Sequence, residues 1–565
     1  MPNFNEYKYE RPDIKNLERL FKKSIVDFST ATSEDIQNEV LKTITSIRNN
    51  FETMSVLVNI RYTVDTNDKY YSSEMEYIDE ITPIYEGLIT EFYKALIVSD
   101  YRPELEAKWG NQLFDLADLQ IKVFNDSIIE DKQNENKLVT EYSKLKASAK
   151  MIFDGEEKNL SQMQPYLESK DREIRKKAWD ATTAFYLDNE KAFDDIYDKL
   201  VKLRHRMALK LGYENFVELG YDRLGRSDYD SKMIKGYREQ VYNSIVPLAE
   251  NLRARQARRL GFNSLKYYDI ALDFISGNPS PKGDSNWIVD QGKSMYSEMS
   301  KETNEFFNFM LDNKLMDLEA KKGKDGGGYC TFVNDYKAPF IFSNFNGTSG
   351  DVDVLTHEAG HAFQVYRSRN QEMPEYVWPT YEACEIHSMS MEFLAWPWME
   401  NFFKEDVDKY KFSHLSSSLL FIPYGVSVDE FQHFVYENPK ATPDERKAKW
   451  REIEKKYLPH RDYDENDFLE RGGFWFRQSH IFADPFYYID YTLAQVCAFE
   501  FWDKSNKDRE KAWNDYLRLC DAGGSKPFLE LVELAGLVNP FVDGSIAKIT
   551  KPISDYLESV DDSKF

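Results

Sequence analysis

His357-Glu358-Ala359-Gly360-His361 sets two imidazoles four residues apart, with a carboxylate beside the first. On a helix, positions i and i+4 project from one side, about 40° apart and one turn along the axis. That spacing suits two nitrogen ligands of one zinc ion, and the glutamate between them stands where it can take a proton from a water at the cation. Zinc lowers the pKa of such a water and polarises a scissile carbonyl, so the chemistry indicated is metal-assisted hydrolysis. With eight histidines in the chain, a chance HExxH is on the order of one in a hundred.

The element that must hold these residues is legible around them. Val352, Leu355, Ala359, Ala362, Phe363 and Tyr366 form one apolar stripe, which predicts a helix packed into a core. Asp351 and Asp353 fall in its first turn, where the helix dipole favours negative charge. His357, Glu358 and His361 lie off the stripe on a second side. A buried helix with a polar second side lines a cleft, whereas two surface histidines on a solvated helix would need no such stripe.

A catalytic zinc requires a third protein ligand and an open position. Tyr381 to Glu392 is helical in pattern and offers Glu382, Glu385 and His387, among which spacing alone does not choose. Glu385, Ser388 and Glu392 share a face at i, i+3 and i+7. A metal ligand and a supporting carboxylate can therefore stand one above the other.

The rest of the chain reads as helix after helix. A stripe from Ile36 to Val58 predicts one long helix capped by Thr32 or Ser33, and a second pattern from Met75 meets Pro83, which predicts a kink or restart. Pro103 suits a helix start, Arg172 to Lys210 reads as a further helical stretch, and helical hairpins are the economical arrangement. Tyr329–Val333 and Pro339–Phe345, separated by a segment with the turn-prone Asn334, Asp335, Tyr336 and Lys337, give a hairpin signature just ahead of the HExxH helix. Such a hairpin can offer an edge strand to an extended peptide.

Composition narrows the function further. The 73 basic and 97 acidic residues leave a net charge of −24, and no basic groove is visible, which argues against nucleic acid. The four cysteines are scattered without a paired spacing, as expected in a reducing compartment. Neither a secretory leader nor an apolar run of about 18 residues is present, so the expectation is a cytoplasmic protein with no membrane partner. Oligomeric state is not indicated.

The stretch NFNGTSGDVDVLTHEAGHAF, followed by E-x-x-S-x-x-x-E in EIHSMSME, resembles the thimet oligopeptidase/oligoendopeptidase F family of zinc metallopeptidases, and more narrowly its bacterial oligoendopeptidase F and Pz-peptidase types. The resemblance covers roughly the last 350 residues. It implies a mainly α fold, a two-lobed helical ellipsoid with a deep central channel and a small sheet next to the HExxH helix. We divide it as a helical N-terminal lobe over 1–200 and a catalytic domain over 201–565. By resemblance Glu385 is the third ligand, with His357 and His361, of one zinc per chain, and Glu392 is a partner of a ligand histidine. SHIFADPFYYIDY resembles the family's histidine-plus-tyrosine segment, which implies that His480 and Tyr491 meet the oxyanion. Tyr487 or Tyr488 would contact substrate, a choice the spacing leaves open, and Gly523-Gly524 resembles a glycine loop near the substrate channel. His205, His414, His433 and His460 have no metal-spaced partner and receive no role.

The function expected is an endopeptidase that cleaves short peptides by Glu358-assisted attack of zinc-activated water. A zinc exopeptidase (carboxypeptidase or dipeptidase) on a similar scaffold is the alternative within enzymes. A non-catalytic peptide-binding protein with a structural zinc is the alternative outside them.

Overall fold

The stripe from Ile36 to Val58 becomes a single helix, Glu34–Val64, in the computed structural model, which describes residues 2–565. The Ser33 hydroxyl caps it by accepting from Ile36 N. Pro83 does not interrupt the next helix, which runs unbroken over Lys69–Ile97. A mid-helix proline leaves the carbonyl four residues back without its usual donor. Here the Asn136 amide donates to Asp79 O at 3.2 Å, and Gln133 donates to Glu80 O at 2.7 Å. Both donors come from the neighbouring helix Ile129–Ala147, so long-range side chains replace the restart expected from the sequence. Arg172 to Lys210 is helical as expected, as two helices, Arg172–Asp188 and Glu190–Lys210, joined at Asn189.

The fold is mainly α, with small sheets. The hairpin is present as Tyr329–Val333 and Ala338–Phe345, paired antiparallel with Tyr329 opposite Phe342 and Val333 opposite Ala338. Lys337 makes the turn in the left-handed region, at φ 47°. A third strand, Met316–Glu319, joins the other side of Ala338–Phe345 in parallel, which leaves Tyr329–Val333 at the sheet edge. That strand was not read from the sequence, nor was the short hairpin of Met151–Phe153 with Glu156–Lys158.

The early helices build their own core around Phe28, Phe51, Leu88 and Phe92, which also takes in Met373 and Tyr376 from beyond the HExxH helix. A larger core joins the sheet, the HExxH helix and the C-terminal helices through residues such as Phe342, Leu355, Phe363 and Phe499. Among the described residues, no helix is long and apolar enough to cross a membrane.

Candidate active site

The HExxH helix spans Gly350–Ser368 and is anchored at its start. The Asp351 carboxylate accepts backbone hydrogens from Asn346 at 2.9 Å and Gly347 at 2.8 Å, tying the helix to the end of the central strand. Val352, Leu355, Ala359, Ala362 and Phe363 are all fully buried, as the stripe requires. Gly360 has a different task. A Cβ there would come within 2.6 Å of Ser388 Cα and 2.7 Å of His387 O, so only glycine lets the helix Tyr381–Leu394 approach this closely. The approach carries Glu385 to the two histidines.

Glu385 Oε2 lies 3.3 Å from His357 Nε2 and 3.3 Å from His361 Nε2. One donor atom from each of the three residues falls within 4.8 Å of the others. Two imidazole nitrogens and a carboxylate oxygen form a donor set that fits zinc and related divalent ions. The other two candidates from that helix are engaged elsewhere. Glu382 accepts from the Tyr229 hydroxyl and sits 3.6 Å from Arg226 Nε, while His387 Nδ1 faces the carbonyl of Ala383. Glu358 is 6% exposed, and its Oε2 has no hydrogen-bond partner among the described residues. Burial raises its carboxyl pKa, a push opposed by His357 and His361.

Around this triad lies a relay of hydrogen bonds. Glu392 Oε1 is 2.7 Å from His357 Nδ1, and Tyr487 donates its hydroxyl proton to Glu385 Oε1. Glu392 Oε2 lies 2.8 Å from His414 Nε2, and Trp396 Nε1 donates to His414 Nδ1 at 3.1 Å. His414 had no visible partner in the sequence, because its contact is made from a separate helix, Val407–Glu437.

A second relay orients His480. Tyr424 donates to Gln478 Oε1 at 2.9 Å, which turns the Gln478 amide nitrogen towards His480 Nδ1 at 2.8 Å. Nδ1 therefore accepts, the proton resides on Nε2, and Nε2 faces Tyr491 Oη at 3.2 Å. Burial lowers His480 to about 4, so the ring is a neutral donor at ordinary pH. Burial also pushes the Tyr491 hydroxyl well up, and it stays protonated. Tyr488 packs edge-on against Phe421 and Tyr424 and also lies ring to ring against His480 and Tyr491, whereas Tyr487 touches Glu385. Gln478 and Tyr424 were missed in the sequence, where neither stands in a motif.

Gly523 and Gly524 close on backbone rather than open space. A Cβ on Gly523 would lie 2.1 Å from Tyr376 O, and one on Gly524 would lie 2.2 Å from Trp378 O. Gly524 also borders a cavity edged by Trp378, Thr380 and Tyr381.

Comparison with known proteins gives concordant matches. Residues 4–124 match the peptidase M3 N-terminal domain, and residues 165–550 match peptidase family M3. A solved structure described as Pz peptidase A with an inhibitor is 58% identical, covers 99% of this chain and 100% of that one, and superposes with a TM-score of 0.99. An oligoendopeptidase F homolog of Borreliella burgdorferi is 23% identical over 382 residues, 66% of this chain and 63% of that protein. Oligopeptidase PepF of Bacillus subtilis is 21% identical over 404 residues, 68% of this chain and 57% of that protein. The chain thus spans less than two thirds of the length of these two curated relatives.

Proposed function

The chain belongs to peptidase family M3, and we propose that it is a zinc-dependent endopeptidase hydrolysing internal bonds of short peptides. The observation that carries this reading is the convergence of His357, His361 and Glu385 beside Glu358, whose Oε2 has no hydrogen-bond partner among the described residues. These three side chains would hold one zinc per chain, and a three-ligand set suits a catalytic rather than a structural site. When bound, zinc supplies Lewis-acid polarisation of the water and of the scissile carbonyl.

The remaining steps belong to the protein. Glu358 takes one proton from the attacking water as the water oxygen bonds to the carbonyl carbon. It then passes that proton to the amide nitrogen as the carbon–nitrogen bond breaks. Tyr491 Oη and His480 Nε2 donate hydrogens to the oxyanion that develops between these events, and the Gln478 contact holds His480 in the donating tautomer. Glu392 and Tyr487 orient the ligands. Tyr329–Val333, at the sheet edge, offers backbone groups to an extended peptide whatever its side chains.

Cleavage of a peptide blocked at both ends tests this reading. The zinc-loaded chain is expected to cut it internally and to lose that activity on chelation. Strict refusal of blocked peptides, with trimming of free ones, would establish the exopeptidase instead.

A further inference from the structure

A cavity of about 420 Å³ lies beside the proposed site, lined in part by Lys146, Trp179, Gly326, Gly327, Phe474 and Arg477. Its two boundaries lead into the chemistry. Gly326 and Gly327 run directly into the edge strand Tyr329–Val333, and a Cβ on Gly328 would lie 3.2 Å from Glu358 Oε1. Arg477 leads through Gln478 to His480, which Gln478 orients. The three metal-ligand candidates do not line the cavity, which adjoins the site through Gly328 and Gln478.

The charge of this cavity is opposite to that of the chain. The whole sequence carries a net −24, yet among the described residues no Asp or Glu lines the space. Its third cation, Lys324, is already paired with Asp317 at 2.6 Å. Among the described residues, neither Lys146 nor Arg477 is paired with a carboxylate. The Lys146 ammonium is held in place by Ser479 Oγ and by Arg477 O at 3.3 Å. The Arg477 guanidinium lies over Trp179 and Phe474, 5.0 Å from each ring centroid. Asp325, the carboxylate whose field reaches Lys146, turns its side chain to Gly326 N at 2.8 Å instead. Burial also lowers Lys146 to about 8, the behaviour of an ammonium without a counter-ion in contact.

Two adjacent half-buried cations, neither in contact with a carboxylate among the described residues, on aromatic walls and next to Gln478, favour a negatively charged ligand. We infer that Lys146 and Arg477 bind a carboxylate of the peptide substrate and so determine which peptides the enzyme prefers. The inference rests on the proposed peptidase reading and adds the substrate's charge to it. Strand geometry suggests the source. Antiparallel addition to Tyr329–Val333 runs the carboxy-terminal side of a peptide towards Gly327, and an extended chain advances about 3.4 Å per residue. The terminal carboxylate of a short peptide, or an acidic side chain a few residues beyond the scissile bond, then reaches the cavity.

Binding and cleavage are measured separately. Fluorescent peptides of one sequence, ending in a free acid or an amide, are titrated against the zinc-loaded Glu358→Gln chain. A second amidated pair carries Glu or Gln at positions after the cleavage site. The acid is expected to bind at least about tenfold more tightly than the amide, the scale of a charge-assisted contact, and the advantage should shrink with added salt. In Lys146→Gln and Arg477→Gln the acid-to-amide ratio should fall towards one, with Lys146→Arg restoring it. Preference within the first pair assigns the terminal carboxylate, and preference only within the second assigns an acidic side chain. No discrimination in either pair, or a ratio that persists in both Gln variants, overturns the inference. Absence of cleavage by the native chain would refute the peptidase reading and leave these binding ratios readable.

Discussion

Glu392 Oε2 lies 2.8 Å from His414 Nε2, while the other oxygen of the same carboxylate reaches His357 Nδ1. His414 thereby fixes the carboxylate that fixes a proposed metal ligand. Outer partners of this kind typically contribute 10–100-fold in metal affinity, by about the cost of reorienting the ligand ring. Glu392→Ala should therefore weaken zinc retention by roughly that factor, and His414→Ala by less. Competition against a graded chelator series checks both.

Glu385 and Glu382 provide a matched pair on one helix. Glu385→Ala should release zinc far more readily than Glu382→Ala, because Glu382 is engaged with Tyr229 and Arg226. Equal retention in the two variants, or the reverse order, would show that the third ligand was misassigned. Metal content after dialysis provides the readout.

Gly360→Ala should separate the two ligand-bearing helices. The added methyl would meet backbone of Ser388 and His387, which cannot give way as a flexible side chain would. Zinc affinity should fall together with thermal stability, by about 1–3 kcal/mol for overpacking of this sort. Calorimetry with and without zinc separates the two effects.

His480 carries a pH signature. Its folded pKa, about 4, lies below the ordinary histidine value, so between those values the unfolded chain binds the proton first. The stability that depends on a neutral His480 is fully present above about pH 6.5 and is lost as pH falls towards 4. The native chain should accordingly lose stability relative to His480→Asn on acidification over that window. At neutral pH, His480→Ala and Tyr491→Phe should each lower kcat by about 10²–10³ with zinc content unchanged, the scale of one lost oxyanion donor. Melting curves across pH and steady-state kinetics test these statements.

Local pattern revealed the parts of this molecule whose reasons are local. The HExxH helix, its apolar stripe, the hairpin ahead of it and the long helix from Glu34 follow from periodicity and capping. What escaped was decided by distant partners. Pro83 sits within a helix because Asn136 and Gln133 serve the carbonyls near it, and His414 acquires its partner only when two helices cross. Met316–Glu319 is four residues long and pairs in parallel, so neither length nor alternation marked it. Lys146 and Arg477 lie far apart in sequence, and nothing about either alone indicates that they share a cavity. The choice of Glu385 over Glu382 came from the family resemblance, and Glu385 lies beside the two histidines where Gly360 lets the helices approach.

The measurement closest to the central claim is zinc content and peptide turnover of Glu358→Gln. Zinc should remain near one per chain while kcat/KM on a blocked peptide falls by at least about a hundredfold, the contribution of a lost general base. Turnover equal to that of the native chain, with zinc in place, would contradict it.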